Sequence, residues 1–367
     1  MNILFVIRSW SLGGEQRALS LLSAKFTDEA HRVQVLVLDR PSDSAAQITS
    51  DSRVRRIFVD SRSTHRSRRV VRLIAAVRQQ VGAVHPDVVV GFGAGAAIIA
   101  CLALAGLKTP IVVCERNDPA RMSLIWRVTR RIAYLRASGA VFQTKEAEAY
   151  FTGRSPSRSV VIPNPVHPES RRLRASHEEQ VIVNTSRLTG PKNQRMLVQA
   201  FSRVAKLHPD YELQIFGDGP ERASLEDLVK SLGLQSRVQL RRPETEILPV
   251  LSRSRIFVLT SDHEGFPNSL AEAMSLGLAC IATDCRIGGP RSMITDGYNG
   301  RLVQPGDVDS LTAVLSHLMA NPQEIARLGL AARQWASALE VGPIASQWLT
   351  FLESVASQGK DGFDGSQ

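Results

Sequence analysis

Ile256-Phe257-Val258-Leu259-Thr260 runs into Ser261-Asp262-His263-Glu264-Gly265-Phe266-Pro267 and then into Asn268-Ser269-Leu270-Ala271-Glu272. Five consecutive apolar or β-branched residues read as a buried strand, the Gly-Phe-Pro stretch as a loop, and the Asn-Ser-Leu-Ala-Glu stretch as the start of a helix. Such a strand, loop and helix is the unit from which parallel sheets with crossover helices are built. Glu264 then lies in the loop, with a carboxylate able to accept from hydroxyls, and Glu272 about one turn into the helix on the same side. Gly265 and Phe266 offer backbone amides near the helix start, where an anion is favoured. Solvated glutamates are the plain alternative.

The same alternation extends outward in both directions. Strands are expected at 3–7, 33–38, 56–59, 88–91, 111–114, 140–143 and 160–162, with helices at 14–26, 69–81, 94–105, 126–136 and 145–150. The pattern restarts with strands at 181–185, 212–216, 238–241, 256–260 and 279–283 and helices at 194–207, 223–232, 246–252, 268–276, 288–294 and 308–320. Two doubly wound α/β units in series are therefore expected, and 367 residues exceed the comfortable size of one core. Pro163-Asn164-Pro165-Val166-His167-Pro168 makes a stiff linker. The expected division is 1–167, 168–342, a C-terminal helix at 343–358 packing back on the first domain, and a disordered tail at 359–367.

With 43% hydrophobic and 22% charged residues, the chain is a folded globular protein. The net charge of +10 is unevenly placed: residues 1–167 carry 24 Lys and Arg against 12 Asp and Glu, so all the excess is in the first half. An anionic partner is expected there. Arg68 and Arg69, and Arg127, Arg130 and Arg131 interleaved with Trp126, Val128, Ile132, Tyr134 and Leu135, suit an acceptor or an anionic lipid surface. An ordinary surface helix with one buried face explains the second group equally well. The low aromatic content, 5%, and the lack of a recognition motif argue against nucleic acid.

Cys101, Cys114, Cys280 and Cys285 fit neither a disulfide framework nor a zinc site and read as buried thiols. The N-terminus reads as a first strand and not as a signal peptide, and 88–107 as strand, turn and helix in preference to a membrane span. The expected location is cytoplasmic, at the cytoplasmic face of a membrane.

Two further loops carry candidate chemistry. Gly13-Gly14 opens the first helix without side chains in the way of an anion, though a plain tight turn has equal weight. It does not match the Gly-x-Gly-x-x-Gly fingerprint of dehydrogenases. Arg187 and Lys192 leave the first strand of the second unit, at the edge where open sheets bind ligands, and two cations there suit a diphosphate. Two solvated loop charges are the alternative. Asp307-Val308-Asp309 reads as helix capping, not as a metal ligand pair.

These stretches, together with Val141-Phe142-Gln143-Thr144, Ile162-Pro163-Asn164-Pro165, Phe216-Gly217-Asp218-Gly219-Pro220 and Gly297-Tyr298-Asn299-Gly300, resemble glycosyltransferase family 4 over nearly the whole chain. The resemblance implies the GT-B fold, two Rossmann-like domains facing across a cleft, and retaining transfer from a nucleotide sugar with no metal or other cofactor. Gly106-Leu107-Lys108-Thr109-Pro110 and Trp126-Arg127 to Arg130-Arg131 look most like the subgroup that extends undecaprenyl-diphosphate-linked glycans with a hexose or N-acetylhexosamine. By resemblance, Arg187 and Lys192 hold phosphate, Glu264 the sugar and Glu272 the ribose, with Gly13, Gly14, Gly217, Gly265, Phe266, Pro267, Asn268, Ser269 and Leu270 around the donor. A UDP-sugar is expected ahead of a GDP-sugar.

One position departs from the family. Glu115-Arg116 stands where many members have a histidine, and arginine cannot act as a base at neutral pH. Its implied role is to stabilise negative charge on the donor phosphate or the acceptor, so Arg116 joins Glu264, Arg187 and Lys192 as a catalytic candidate. A sugar-nucleotide epimerase and a non-enzymatic, basic membrane-binding module are the competing readings.

Overall fold

The computed structural model describes residues 1–10, 13–39, 51–59, 66–116, 123–151, 156, 158–173, 179–286 and 288–361. Of the positions read above, 362–367 lie outside the described residues.

The chain divides into two compact units, Met1–Pro165 with Val341–Gln367, and Val166–Glu340. The boundaries fall two residues before those expected from the sequence, with Val166 already in the core of the second unit.

The first unit contains β1 (Asn2–Ser9), α1 (Gly14–Asp28), β2 (Arg32–Asp39), β3 (Arg55–Phe58), α2 (Arg66–Val84), β4 (Val88–Phe92), α3 (Ala94–Ala103), β5 (Ile111–Cys114), α4 (Leu124–Tyr134), β6 (Gly139–Phe142), α5 (Lys145–Tyr150) and β7 (Ser159–Val161). Its strands pair in the order β3-β2-β1-β4-β5-β6-β7, every neighbour parallel. The centre of the sheet is buried on both faces, which is why β1 and β4 are continuous apolar runs. The second unit contains α6 (Glu169–Arg172), β8 (Val181–Thr185), a 3-10 turn at Gly190–Lys192, α7 (Gln194–Val204), β9 (Glu212–Phe216), α8 (Arg222–Ser231), β10 (Val238–Arg241) and α9 (Leu248–Arg253). It continues with β11 (Ile256–Leu259), α10 (Asn268–Leu276), β12 (Ala279–Thr283), β13 (Arg301–Val303), α11 (Val308–Ala320) and α12 (Pro322–Ala336), and its parallel order is β10-β9-β8-β11-β12-β13. The last helix, α13 (Val341–Asp361), belongs to the first unit: Ile344, Trp348, Leu352 and Val355 join Phe5, Leu22, Phe26 and Phe92 in one core. It extends through residues 359–361, into the segment expected as tail.

The helix expected at 288–294 is absent. Ser292 N bonds to Gly288 O at 2.7 Å and Ile294 N to Pro290 O at 2.8 Å, but Met293 N between them bonds to Pro290 O at 3.0 Å, three residues back, so the segment is a series of turns. Gly288 has φ +67, and Pro290 has no amide hydrogen to continue a helix. Conversely α6 and α12 were not anticipated. Close approach of α12 to the end of α10 explains one glycine: a Cβ on Gly329 would lie 2.0 Å from Gly277 O.

Candidate active site

Strand order in the second sheet changes direction between β8 and β11, with β9 and β10 on one side and β12 and β13 on the other. Loops leaving two such strands diverge, which opens a crevice at the carboxyl edge of the sheet. The loop after β8 carries Arg187 and Lys192, and the loop after β11 carries Glu264.

Each loop is pinned from below. Asn184, fully buried on β8, donates to Val258 O of β11 at 2.7 Å and accepts from Ser186 Oγ at 2.9 Å. Gln194, at the start of α7, donates to Ser186 Oγ at 2.7 Å and to Arg187 O at 2.8 Å. The Arg187 backbone is thus fixed while its side chain is exposed. Phe216-Gly217-Asp218-Gly219 lies against the same loop so closely that a Cβ on Gly217 would sit 2.0 Å from Ser186 O, so the Gly217 contribution is one of backbone shape.

Lys192 ends the 3-10 turn, and Asn193 follows in the left-handed region, capping α7 through Met196 N. Thr260 Oγ1 donates to Lys192 O at 3.1 Å and Asp262 N to Pro191 O at 2.9 Å, fastening one loop to the other. Across this junction Lys192 Nζ donates to Glu264 Oε1 at 2.5 Å, and Ser261 Oγ donates to the same oxygen at 2.6 Å. Glu264 Oε2 has no hydrogen-bond partner among the described residues. A carboxylate oriented through one oxygen can accept from a ligand through the other.

Just beyond, Ala271 N makes the first bond into α10, to Pro267 O at 3.1 Å, so the preceding amides of Ser269 and Leu270 have no partner within the helix. Phe266 and Leu270 face inward into the core of the unit, so only their backbones are available to a ligand. Gly265 is backed by Gly289, where a Cβ would lie 2.5 Å from Gly265 O. Glu272 is nearly buried on the second turn of α10.

The first unit holds Gly13, Gly14 and Arg116. Gly13 is extended and Gly14 begins α1, so neither holds a backbone conformation reserved for glycine. Arg116, just past β5, is 7% exposed, with its guanidinium 3.8 Å above the Phe92 ring and Nη1 donating to Asn164 Oδ1. Gln143, in the amide orientation that satisfies both its ends, accepts from the same Nη1 at 3.0 Å.

The basic surface assignment needs one correction. Arg130 is not on the surface: it is 3% exposed, stacked 4.7 Å from the Phe151 ring and 3.6 Å from Glu115. Tyr134 donates to Glu115 Oε1 at 2.5 Å, so Arg130 and Tyr134 hold a buried carboxylate. Burial raises the Glu115 carboxyl above its ordinary range, opposed by Arg130 and then by Tyr134. Arg69 is tied to Asp39 at the end of β2, whereas Arg68, Arg127 and Arg131 are exposed.

Helix α4 is amphipathic with its apolar stripe turned outward. Ile125, Val128, Ile132 and Leu135 are 78%, 50%, 62% and 84% exposed, while Arg130, Ala133 and Tyr134 face inward. Sequence reading also passed over Glu15, whose Oε1 is buried without a hydrogen-bond partner. The four cysteines are buried, and burial pushes the Cys101 and Cys285 thiols up to about 12 and Cys114 to about 11, so these three are neutral at neutral pH. Asp307 caps α11 by accepting from Ser310 N at 2.9 Å.

Two family models match end to end: Glycosyltransferase Family 4 over residues 12–170 and Glycosyl transferases group 1 over residues 167–335. The chain belongs to glycosyltransferase family 4. As a member of this family it is a transferase, and the epimerase and non-enzymatic readings fall away.

A relative from Campylobacter jejuni, GalNAc-alpha-(1->4)-GalNAc-alpha-(1->3)-diNAcBac-PP-undecaprenol alpha-1,4-N-acetyl-D-galactosaminyltransferase, is 26% identical over 97% of this chain and 99% of its own. An exopolysaccharide phosphotransferase of Streptomyces coelicolor is 33% identical over 60% of this chain, which spans 23% of that protein's length. Among solved structures, Anabaena HepE in complex with UDP and glucose superposes with a TM-score of 0.79 at 20% identity, over 96% of this chain and all of that one, the GT-B fold. Among its described residues, no helix of this glycosyltransferase is long and apolar enough to cross a membrane.

Proposed function

We propose that this glycosyltransferase moves a hexose or N-acetylhexosamine from a UDP-sugar to a lipid-linked oligosaccharide or surface-polysaccharide intermediate, with retention at the anomeric carbon. The observation that carries the reading is the junction of Lys192 and Glu264 at the point where the second sheet changes direction. A cation and a carboxylate with one oxygen unoccupied share this sheet edge with the loop of the exposed Arg187 and the amino end of α10, groups that suit a sugar hydroxyl and a diphosphate.

In this reading Arg187, Lys192 and the first-turn amides of α10 take up the charge that gathers on the departing diphosphate, so the reaction needs no metal. Glu264 Oε2 accepts from a donor-sugar hydroxyl, and the nearly buried Glu272 serves the ribose. The departing phosphate oxygen receives the acceptor proton, on the face from which the bond breaks. Support for the donor comes from the UDP and glucose bound to Anabaena HepE, and for the acceptor from the undecaprenol-linked glycan named for the Campylobacter relative and the amylovoran pathway named for an Erwinia amylovora relative, 26% identical over 93% of this chain.

Peripheral contact with an anionic membrane belongs to the same reading. Its basis is α4, whose exposed isoleucines, valine and leucine are flanked by Arg127 and Arg131. The test is transfer of label from radiolabelled UDP-sugars to membrane extracts in the presence of a chelator. Lys192→Ala and Glu264→Ala are expected to abolish it, and full activity of either variant would contradict the site.

A further inference from the structure

In the first sheet strand order changes direction between β1 and β4, and at that edge Glu15 of α1 lies against Gly93 at the start of α3. The glutamate occupies room that a glycine leaves: a Cβ on Gly93, which has φ +89, would lie 2.2 Å from Glu15 Oε1. That oxygen is buried and has no hydrogen-bond partner. Arg116 is fixed beside this edge, face down on Phe92 and held by Nη1, yet its Nε and Nη2 are buried without partners. The two side chains attract one another but form no ion pair.

Unfilled donors and an unfilled acceptor at a buried position each carry a desolvation cost, about 1–3 kcal/mol per group. A direct ion pair would relieve both, and the stacking of Arg116 on Phe92 holds its donors elsewhere. A phosphate or carboxylate would suit Arg116 but meet the charges of Glu15 and of Glu115 next to it, and a cation would be repelled by Arg116. A group that donates and accepts at once satisfies both partners, and a hydroxyl is such a group, with water as its resting substitute.

We propose that Glu15 and Arg116 together seat a hydroxyl of the saccharide acceptor, which donates to Glu15 and accepts from Arg116. This rests on reading the first unit as the acceptor half of the transferase, and it narrows the role of Arg116 from anion stabilisation to acceptor placement. Burial pushes the Glu15 carboxyl up to about 7, opposed chiefly by Arg116, reinforced by Glu115 and opposed weakly by Arg8 on β1. Cys114, also near, is neutral at this pH. The seat therefore accepts a hydroxyl proton best above neutrality.

Saturation-transfer NMR on the full chain tests this with methyl glycosides of glucose, galactose, N-acetylglucosamine and N-acetylgalactosamine as probes. At least one is expected to bind, with affinity rising about tenfold from about pH 6 to about pH 8 as a carboxyl near 7 ionises. Glu15→Gln, of the same shape, is expected to lose this pH dependence while still being stabilised by UDP in thermal unfolding. Glycoside binding with an unchanged pH profile in Glu15→Gln, or no glycoside binding in the wild type, would overturn the seat. Absence of UDP stabilisation in the wild type would instead count against the donor reading, leaving the glycoside result to stand by itself.

Discussion

Lys192 Nζ lies 2.5 Å from Glu264 Oε1 and joins two loops separated by 72 residues in sequence. The lysine is 20% exposed and the glutamate 11%, so the pair is neither a free surface contact nor a sealed one. Lys192→Ala leaves Glu264 with only Ser261 as partner, and a stability loss of about 1–2 kcal/mol is expected from urea unfolding. Loss of a charge that stabilises the leaving group predicts a fall in transfer of about 100-fold or more, measured as kcat with saturating acceptor.

Arg187 separates ligand binding from folding. Its side chain is exposed and makes no side-chain hydrogen bond among the described residues, so Arg187→Ala is expected to change unfolding free energy by less than about 0.5 kcal/mol. A charge-assisted bond to phosphate contributes about 1.5–3 kcal/mol, so the UDP dissociation constant, read by calorimetry, should rise about tenfold or more.

Gly217→Ala acts on the same loop through packing. The added Cβ would lie 2.0 Å from Ser186 O, a backbone atom that cannot rotate away. A stability loss of about 1–3 kcal/mol is expected, together with weaker UDP binding as the Arg187 segment moves.

Glu15 gives a stability profile of determinate sign. Its carboxyl is raised from 4.5 to about 7 in the folded protein, so the folded state binds more protons between those values and stability falls as pH rises through that window. Glu15→Gln removes the titration. Denaturant unfolding should find the variant equal to wild type below about pH 4.5 and more stable by about 3 kcal/mol above pH 7.

Ile125→Ser with Ile132→Ser tests the membrane face. Both side chains are more than half exposed, so the fold should be unaffected, while sedimentation with anionic liposomes should drop several-fold. Arg127→Ala should weaken the same binding in a salt-dependent way, by about 1 kcal/mol. Arg130→Ala should instead destabilise the fold by about 3 kcal/mol or more, since it strands the buried Glu115.

The sequence made the two sheets legible because their strands are short apolar runs separated by helical segments. It also brought Arg187, Lys192 and Glu264 to one edge, since each follows a strand at the change of direction. The orientation of α4 was left open: its apolar positions 125, 128, 132 and 135 form a helical stripe that suits a buried face or a lipid surface equally, and the structure turns it outward while the core takes Arg130, whose charge is offset by Glu115 just past β5. The segment 288–294 opens with Gly-Gly-Pro, which disfavours a helix, and the positive φ of Gly288, the missing amide hydrogen of Pro290 and the contact of Gly289 with Gly265 show why it turns. Glu15 escaped notice because a first-turn glutamate is ordinary, and the space made for it by Gly93 is a feature of tertiary packing.

The central claim is that the Lys192 and Glu264 edge of the second unit holds a UDP-sugar for transfer to a lipid-linked glycan. Incubation of the full chain with radiolabelled UDP-sugars and membrane extract, followed by organic extraction of the lipid fraction, addresses it directly. The account predicts label in the lipid fraction with wild-type protein and its near loss with Glu264→Ala. Labelling that is undiminished by Glu264→Ala, or that no UDP-sugar supports, would contradict it.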